Sequence, residues 1–587
     1  MAGCQNVGWR MLLGFGCLLL ACAVIADDAG TTTNSPVATS VGTTESQRVS
    51  TRGFEGALLV SGAAGPDQEA LNTFLTVAGK KNSRIVCVEL SSVAVAGVDA
   101  ARAESQPIQP PPTRPTTAEV SARLAQAWLE QGGLQFLVAR IDPGQELSDE
   151  LLGLFDSATG IWIEGRDAKG LARWLTQPKV ETAMLQHRSR GKILGGSIEM
   201  GEAISDSWIE SLESTTQPGD QPKSSRWLDR LIIAPSSVAE RLQAALARQP
   251  SRVALQLSDH ATLLIRQRDV VAVSDGEIQV RYAPIEGRRD PGQTLNGMRR
   301  LADLTALVRA AADRLLPVYP PEKVGEPRVE KGTLVIVGGG GTPPGLMKRF
   351  VEFAGGAEAV IAVLPISNPD PLPEKDGAAE AFRRLGAKEV RELTGRTPEA
   401  VDQPSTWELL DRATGIWFGG GRQWRFVDAY EGTKSLEKMR GVLARGGVIG
   451  GSSAGATIQG DYLARGHPLG PHIMMADGYE RSFAFLPGAA IDQHFTQRKR
   501  VGDLLALLQR YPQFLGLGID EATALIVRGS VGEVVGKHHV HIFDTRRPGA
   551  DGRPHEDSLP EGARYDLVLR RVVEETQVEK ESKEKVN

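Results

Sequence analysis

The chain has 587 residues, 67 Lys+Arg against 72 Asp+Glu, a formal net charge of -5 and 41% hydrophobic residues. That is length for roughly four small domains or two large ones and apolar content for packed cores; it lacks the basic excess of a dedicated nucleic-acid binder. With 65 Gly and 34 Pro the chain is rich in loops without a collagen period.

Residues 1–26 read as a signal peptide. Arg10 is the one cation of a short n-region, Met11–Ile25 is apolar, and Val24-Ile25-Ala26 precedes Asp27 as a cleavage site would. The run is shorter than the roughly 20 residues of a spanning helix; an uncleaved anchor is the alternative. Leu19-Leu20-Ala21-Cys22 resembles a lipobox, imperfectly at its second position, which raises lipid attachment at Cys22. The expectation is a secreted or periplasmic bacterial protein, with membrane attachment only through this segment. Of four cysteines only Cys87 lies beyond it, and a lone thiol in the apolar run Arg84–Val88 reads as a small buried hydrophobe. One cysteine builds neither an internal disulfide nor a Cys-rich metal site.

Residues 27–53 are Thr/Ser-rich and read as a disordered linker. Strand-like and helix-like segments then alternate, interrupted by a Pro-rich break at Gln106–Pro115. The expected strands are Ala57–Val60, Ile85–Glu89, Gly160–Ile163 and Lys192–Leu194, with counterparts at Leu334–Val337, Val360–Leu364, Gly415–Phe418 and Gly447–Ile449. The counterparts belong to an internal repeat. Arg190–Asp206 aligns with Arg445–Asp461, and Ala158–Trp162 repeats as Ala413–Trp417 (ATGIW). The reading is an α/β chain of two tandem lobes, residues 54–317 and 328–572, each a largely parallel sheet with helices on both faces, and a charged tail over 573–587. In such sheets, sites form at the carboxyl ends of the strands.

Gly451-Ser452-Ser453-Ala454-Gly455 fits G-x-S-x-G between a strand and a helix-like stretch, the context of a nucleophile elbow. The plainer reading is a glycine turn whose serine caps the helix. A nucleophilic serine needs a base oriented by a carboxylate. His494 lies downstream in Ile491–Arg500 (IDQHFTQRKR), with His467 and His472 as rivals, and Asp520-Glu521 follow another strand-like run. His538, His539 and His541 read as structural residues on a strand. The acid follows the histidine, unlike an α/β-hydrolase esterase, where it precedes. Gly338–Gly341 completes neither G-x-G-x-x-G nor a Walker A loop, so no nucleotide is expected, and no metal site or other cofactor is.

Residues 334–544 resemble the cyanophycinase branch of the serine peptidases with a class I glutamine amidotransferase-like, flavodoxin-like fold. The resemblance rests on Gly338–Gly341 with Phe350–Gly355 (FVEFAG), Phe418–Gln423 (FGGGRQ), Gly450–Ala456 (GSSAGA), Ile491–Arg500 and Gly518–Thr523 (GIDEAT). It implies Ser453 as nucleophile, His494 as base and Glu521 as acid, with Asp520 the rival acid. It further implies an oxyanion hole from the N–H groups of Ala454 and of Gly420 or Gly421. Gln423, Asp492, Arg498 and Arg500 match positions near the substrate, and arginines suit a carboxylate-rich one. The implied substrate is cyanophycin, poly-aspartate bearing arginine, cleaved to β-Asp-Arg dipeptides; other aspartyl or isoaspartyl peptides are the alternative. One position departs: relatives often carry Asp where this chain has Arg422.

By the repeat, Ser453 corresponds to Ile198, Ala454 to Glu199, His494 to Ser236 and Glu521 to His260, so the first lobe reads as an inactive copy. A fused pair of lobes is compatible with a pseudo-dimeric monomer or a homodimer. A binding protein with two amidotransferase-like lobes is the non-catalytic alternative.

Overall fold

The computed structural model describes residues 53–91, 114–142, 144–205, 228, 230–286, 288–297, 301–549 and 552–574. The proposed signal peptide, Cys22, the linker up to residue 52, the Pro-rich break through residue 113 and the tail beyond 574 lie outside them. The described residues belong to one compact unit.

Apolar runs become inner strands, because a strand covered on both faces has no polar side to present. In the second half Glu389–Glu392, Val360–Leu364, Gly415–Phe418, Val448–Ser452 and Val329–Val337 lie side by side in that order, all parallel. Thr523–Gly529, Val531–Gly536, Arg564–Asp566 and Arg571–Val572 extend the sheet antiparallel. The first half has the same order. Gln135–Ile141, Arg84–Leu90, Gly160–Glu164, Ile193–Ser197 and Phe54–Ser61 are parallel, and Thr262–Gln267, Asp269–Ala272 and Leu301–Asp303 continue antiparallel.

The alternation of strand side chains divides each core in two. Leu334 and Ile336 join a cluster with Leu410, Phe426, Met439 and Val442 from helices on one face. Val335 and Val337 face Leu346, Phe350 and Phe382 on the other. Leu58 and Val60 against Ala57 and Leu59 do the same in the first half. The fold is thus α/β with largely parallel sheets and helices on both faces. Most strands run a residue or more beyond the expected ends.

Each half also carries a second, four-stranded sheet that the sequence reading does not anticipate. In the second half it comprises Ala489–Gln493, Leu515–Ile519, Val540–Pro548 and Pro554–Leu559; in the first, Leu231–Pro235, Val253–Leu257, Ile278–Tyr282 and Gln293–Leu295. Of the three histidines expected on a strand, His541 is on one, while His538 and His539 precede it. A buried polar cluster joins the halves: Arg268 donates to Asp303 at 2.8 Å, to Asp428 at 2.6 Å and to the Tyr479 hydroxyl at 2.9 Å. Cys87 is buried 3.2 Å from the Ser121 hydroxyl, and burial pushes its thiol up to about 12. No helix among the described residues is long and apolar enough to cross a membrane.

Candidate active site

Ser453 follows the strand Val448–Ser452 directly and opens the short helix Ala454–Thr457. Its backbone sits at φ 57°, ψ -112°, a conformation that L-residues avoid, and its N–H is tied to the Val337 carbonyl at 3.0 Å. The flanking glycines follow from packing. A Cβ on Gly455 would stand 2.1 Å from the Phe418 carbonyl oxygen, and one on Gly451 2.5 Å from that of Gly455.

His494 likewise follows its strand, Ala489–Gln493, at φ 50°, and its ring is buried. Its Nε2 is 2.9 Å from Ser453 Oγ and its Nδ1 is 2.6 Å from Glu521 Oε1. A carboxylate only accepts, so Nδ1 carries the proton and Nε2 is left to accept from the serine hydroxyl. Burial lowers the imidazole pKa; the hydrogen bond to Glu521 opposes this, and the charges of Arg498 and Arg500 reinforce it. Among the described residues His494 is the ring within hydrogen-bond reach of Ser453; His467 instead accepts from the Leu469 N–H of its own loop at 3.1 Å.

The two adjacent carboxylates part company. Glu521 reaches His494, while Asp520 accepts from Thr496 N–H at 2.9 Å, Thr496 Oγ1 at 2.6 Å and His539 N–H at 3.3 Å, with His541 Nε2 at 3.4 Å. Burial would raise the Asp520 carboxyl, but the hydrogen bonds from His541 and Thr496 prevail and hold it well below the carboxylate range.

The glycine turn expected to bind no nucleotide has a packing task. A Cβ on Gly339 would stand 2.3 Å from His494 Cε1, and one on Gly340 2.5 Å from the Glu521 carboxyl carbon. Of the residues expected at the oxyanion, Ala454 is buried directly after Ser453. A Cβ on Gly420 would be 3.5 Å from Ser453 Cβ, and Gly421 follows at φ 142°. Ser367, which the sequence reading overlooks, donates its hydroxyl to the Gly420 carbonyl at 2.7 Å and so orients the Gly420–Gly421 peptide. Gln493, also overlooked though it adjoins His494, brings Oε1 to 3.4 Å from Ser453 Oγ.

Three residues expected to meet substrate lie inside the protein. Asp492 is 0% exposed, and its carboxylate is held by Arg465 Nε at 3.0 Å and Nη2 at 2.9 Å and by Arg500 Nη1 at 3.0 Å. Arg500 also donates to the Gln493 carbonyl at 2.7 Å, bracing the peptide before His494. The Gln423 side chain is buried and donates to the Ala464 carbonyl at 2.6 Å. The Asp492 carboxylate, enclosed and held by two arginines, is corrected to a structural group, and Arg500 holds it through Nη1. Arg498 is exposed, one turn beyond His494, and its side chain forms no ion pair among the described residues.

The corresponding strand exits of the first half carry other groups. Ile198 is buried after Ile193–Ser197, and Ser236 follows Leu231–Pro235. The link from Leu257 to Thr262 is one residue longer than that from Ile519 to Thr523, so Asp259 as well as the expected His260 flanks the Glu521 position.

A family model described as Peptidase family S51 matches residues 334–535. The chain is similar to a cyanophycinase of Geminocystis herdmanii, 32% identical over 203 residues, 34% of this chain and 74% of that one. A cyanophycinase of Synechococcus elongatus is 30% identical over 228 residues, 38% of this chain and 70% of that one. Among solved structures, a peptidase from an acI-B1 Actinobacterium is 23% identical, aligned over 40% of this chain and 97% of that one with a TM-score of 0.31.

Proposed function

Since the chain belongs to peptidase family S51, we propose that it is an exported serine-type peptidase that hydrolyses cyanophycin to β-Asp-Arg dipeptides. One observation carries the serine-type assignment: a hydrogen-bonded relay runs from Ser453 Oγ through His494 to Glu521, with spacings of 2.9 and 2.6 Å, from a strained strand-to-helix turn.

In this mechanism Ser453 Oγ attacks the scissile carbonyl carbon as His494 Nε2 takes its proton. Glu521 holds the imidazole with Nδ1 protonated and stabilises the imidazolium that forms. The oxyanion is met by the N–H of Ala454 and by that of Gly420 or Gly421. Collapse of the intermediate expels the amine, protonated from Nε2, and leaves an acyl-enzyme. A water, deprotonated by the same nitrogen, then releases the acid and restores the serine. Export rests on the reading of residues 1–26, and cyanophycin on the two cyanophycinases that cover over two thirds of their own length.

A second reading, a peptidase for other aspartyl or isoaspartyl peptides, is favoured by Arg422, a cation two residues beyond Gly420 where the resemblance implies Asp. The test is digestion of cyanophycin by the purified protein and by Ser453→Ala, with products read by mass spectrometry. Release of β-Asp-Arg by the wild type alone is expected. No release, together with labelling of Ser453 by a serine-reactive probe, would keep the serine peptidase and discard the polymer. Neither release nor labelling would leave the non-catalytic binding protein.

A further inference from the structure

Three guanidinium groups gather beside the Gly420–Gly421 turn. The Arg422 backbone N–H donates to the Ser367 carbonyl at 2.9 Å, and its Nη2 donates to the His467 carbonyl. Its Nε–H is enclosed and meets no acceptor, and Nη1 makes no hydrogen bond among the described residues. Arg425 Nη1 donates to the Ser367 carbonyl at 3.1 Å and to that of Asn368. Arg396 Nη2 donates to the same Asn368 carbonyl at 2.7 Å, and its Nε is also enclosed without an acceptor. Two guanidinium groups, those of Arg425 and Arg396, thus converge on two successive backbone carbonyls, while that of Arg422 is held by the His467 carbonyl.

One carboxylate answers them. Asp370 pairs with Arg396 at 3.2 Å, and its side chain is 75% exposed. Arg422 and Arg425 form no ion pair among the described residues. Burial disfavours the charge of both, and Arg396 and Arg422 add repulsion at Arg425. A cation withdrawn from water without a counter-ion is costly to a fold, whereas a site that receives an anion gains from having the cation already desolvated. The place fits that use. A Cβ on Gly420 would lie 3.5 Å from Ser453 Cβ, and two Cα steps separate Gly420 from Arg422, at most about 7.6 Å.

We propose that Arg422, backed by Arg425 and Arg396, forms a carboxylate-binding subsite that takes a free terminal α-carboxylate, of a chain end or of a branching residue, flanking the scissile bond. The inference rests on the reading of Ser453 as the group acylated by substrate, and names the chemistry recognised next to it. A planar guanidinium fork matches a carboxylate, and Arg422 Nη1 has no protein acceptor to displace. Cyanophycin offers such a group, since each arginine is joined through its α-amino nitrogen and keeps its α-carboxylate. Short aspartyl and isoaspartyl peptides offer it too.

The test separates binding from turnover. Ser453→Ala protein is titrated by calorimetry with β-Asp-Arg, Asp-Ala and β-Asp-Ala, each beside its C-terminal amide. At least one acid is expected to bind about 10- to 100-fold more tightly than its amide, the range for a charged hydrogen bond. Adding Arg422→Met should cut that preference below about threefold while leaving the affinity of the amide unchanged; Arg422→Lys, which keeps charge but not the fork, should fall between. If no pair discriminates, or if the preference survives Arg422→Met in a protein whose thermal unfolding is unaltered, the subsite is refuted. Failure of Ser453 as nucleophile would appear separately, as activity retained by Ser453→Ala.

Discussion

The strain at Ser453 can be measured by comparing two inactive variants, Ser453→Ala and Ser453→Gly. Both remove the hydroxyl and its 2.9 Å contact with His494, so that loss cancels between them. Alanine keeps a Cβ at φ 57°, ψ -112° and therefore keeps the strain; glycine does not. A residue held in such a region costs about 1–3 kcal/mol, and glycine's freedom in the unfolded chain gives back about 0.4–1 kcal/mol. The glycine variant should therefore be the more stable, by roughly 1.3 kcal/mol at mid-range and at most about 2.6 kcal/mol. A unit of this size unfolds with an entropy near 1 kcal/mol/K, so the melting temperature should rise over Ser453→Ala by about 1.3 °C at mid-range and at most about 2.6 °C. Replicate calorimetry, with urea midpoints as a second reading, resolves that difference. A glycine variant equal to or less stable than the alanine variant would refute the claim that the elbow stores strain to present the serine.

Gly339→Ala should push a methyl into the His494 ring and lower kcat by about 100-fold or more, as a misplacement near 1 Å does, with KM little changed. Glu521→Gln should lower kcat by roughly 100- to 10,000-fold without unfolding the protein, whereas Asp520→Asn should act mainly through stability; the reverse order in kcat and melting temperature would exchange their roles. Because the imidazole pKa lies below its ordinary 6.5, His494 is a free base to lower pH than an isolated histidine. The acid limb of kcat/KM should therefore fall below pH 6.5, and a limb above it would contradict the burial argument. Burial raises Glu164 to about 8 from 4.5, so its contribution to stability is full below pH 4.5 and lost as pH rises toward 8; Glu164→Gln should flatten that decline, worth roughly 3–5 kcal/mol, in urea titrations across the window.

The main sheets were legible because their strands are continuous apolar runs ended by glycine, a pattern with few other outcomes. Leu334–Val337 and Val448–Ile449 needed no distant information to be placed. The second sheets were not, since the strand Pro554–Leu559 (PHEDSL) is polar and acquires its place only by pairing with Val540–Pro548. Ser453 and His494 could be located from flanking residues, whereas the choice between Asp520 and Glu521 could not. Adjacent residues at a strand exit point to opposite sides, and which side holds the histidine depends on pairing. Asp492 was misread for a related reason. The partner that claims its carboxylate, Arg465, lies 27 residues earlier in a loop with no periodicity to reveal it. Ser367 gave no signal at all, being one serine in the loop that follows the strand Val360–Leu364.

The register of the second sheet explains why the site has the chain order serine, histidine, acid. Ala489–Gln493 pairs in parallel with Leu515–Ile519, Gln493 opposite Ile519. The residues that leave those strands, His494 on one and Asp520-Glu521 on the other, therefore emerge side by side whatever the helix between them does. Parallel pairing requires a crossover, so the histidine and its carboxylate must be separated by a helix-length segment, here Val501–Arg510. Ser453 leaves the main sheet beside the strand Val329–Val337, whose glycine turn closes against His494 and Glu521 from behind. The three groups are thus set by two sheet registers and one turn, and helix packing is left free to vary. Substitutions in the Val501–Arg510 helix core should accordingly lower stability well before they disturb the distance between His494 and Glu521.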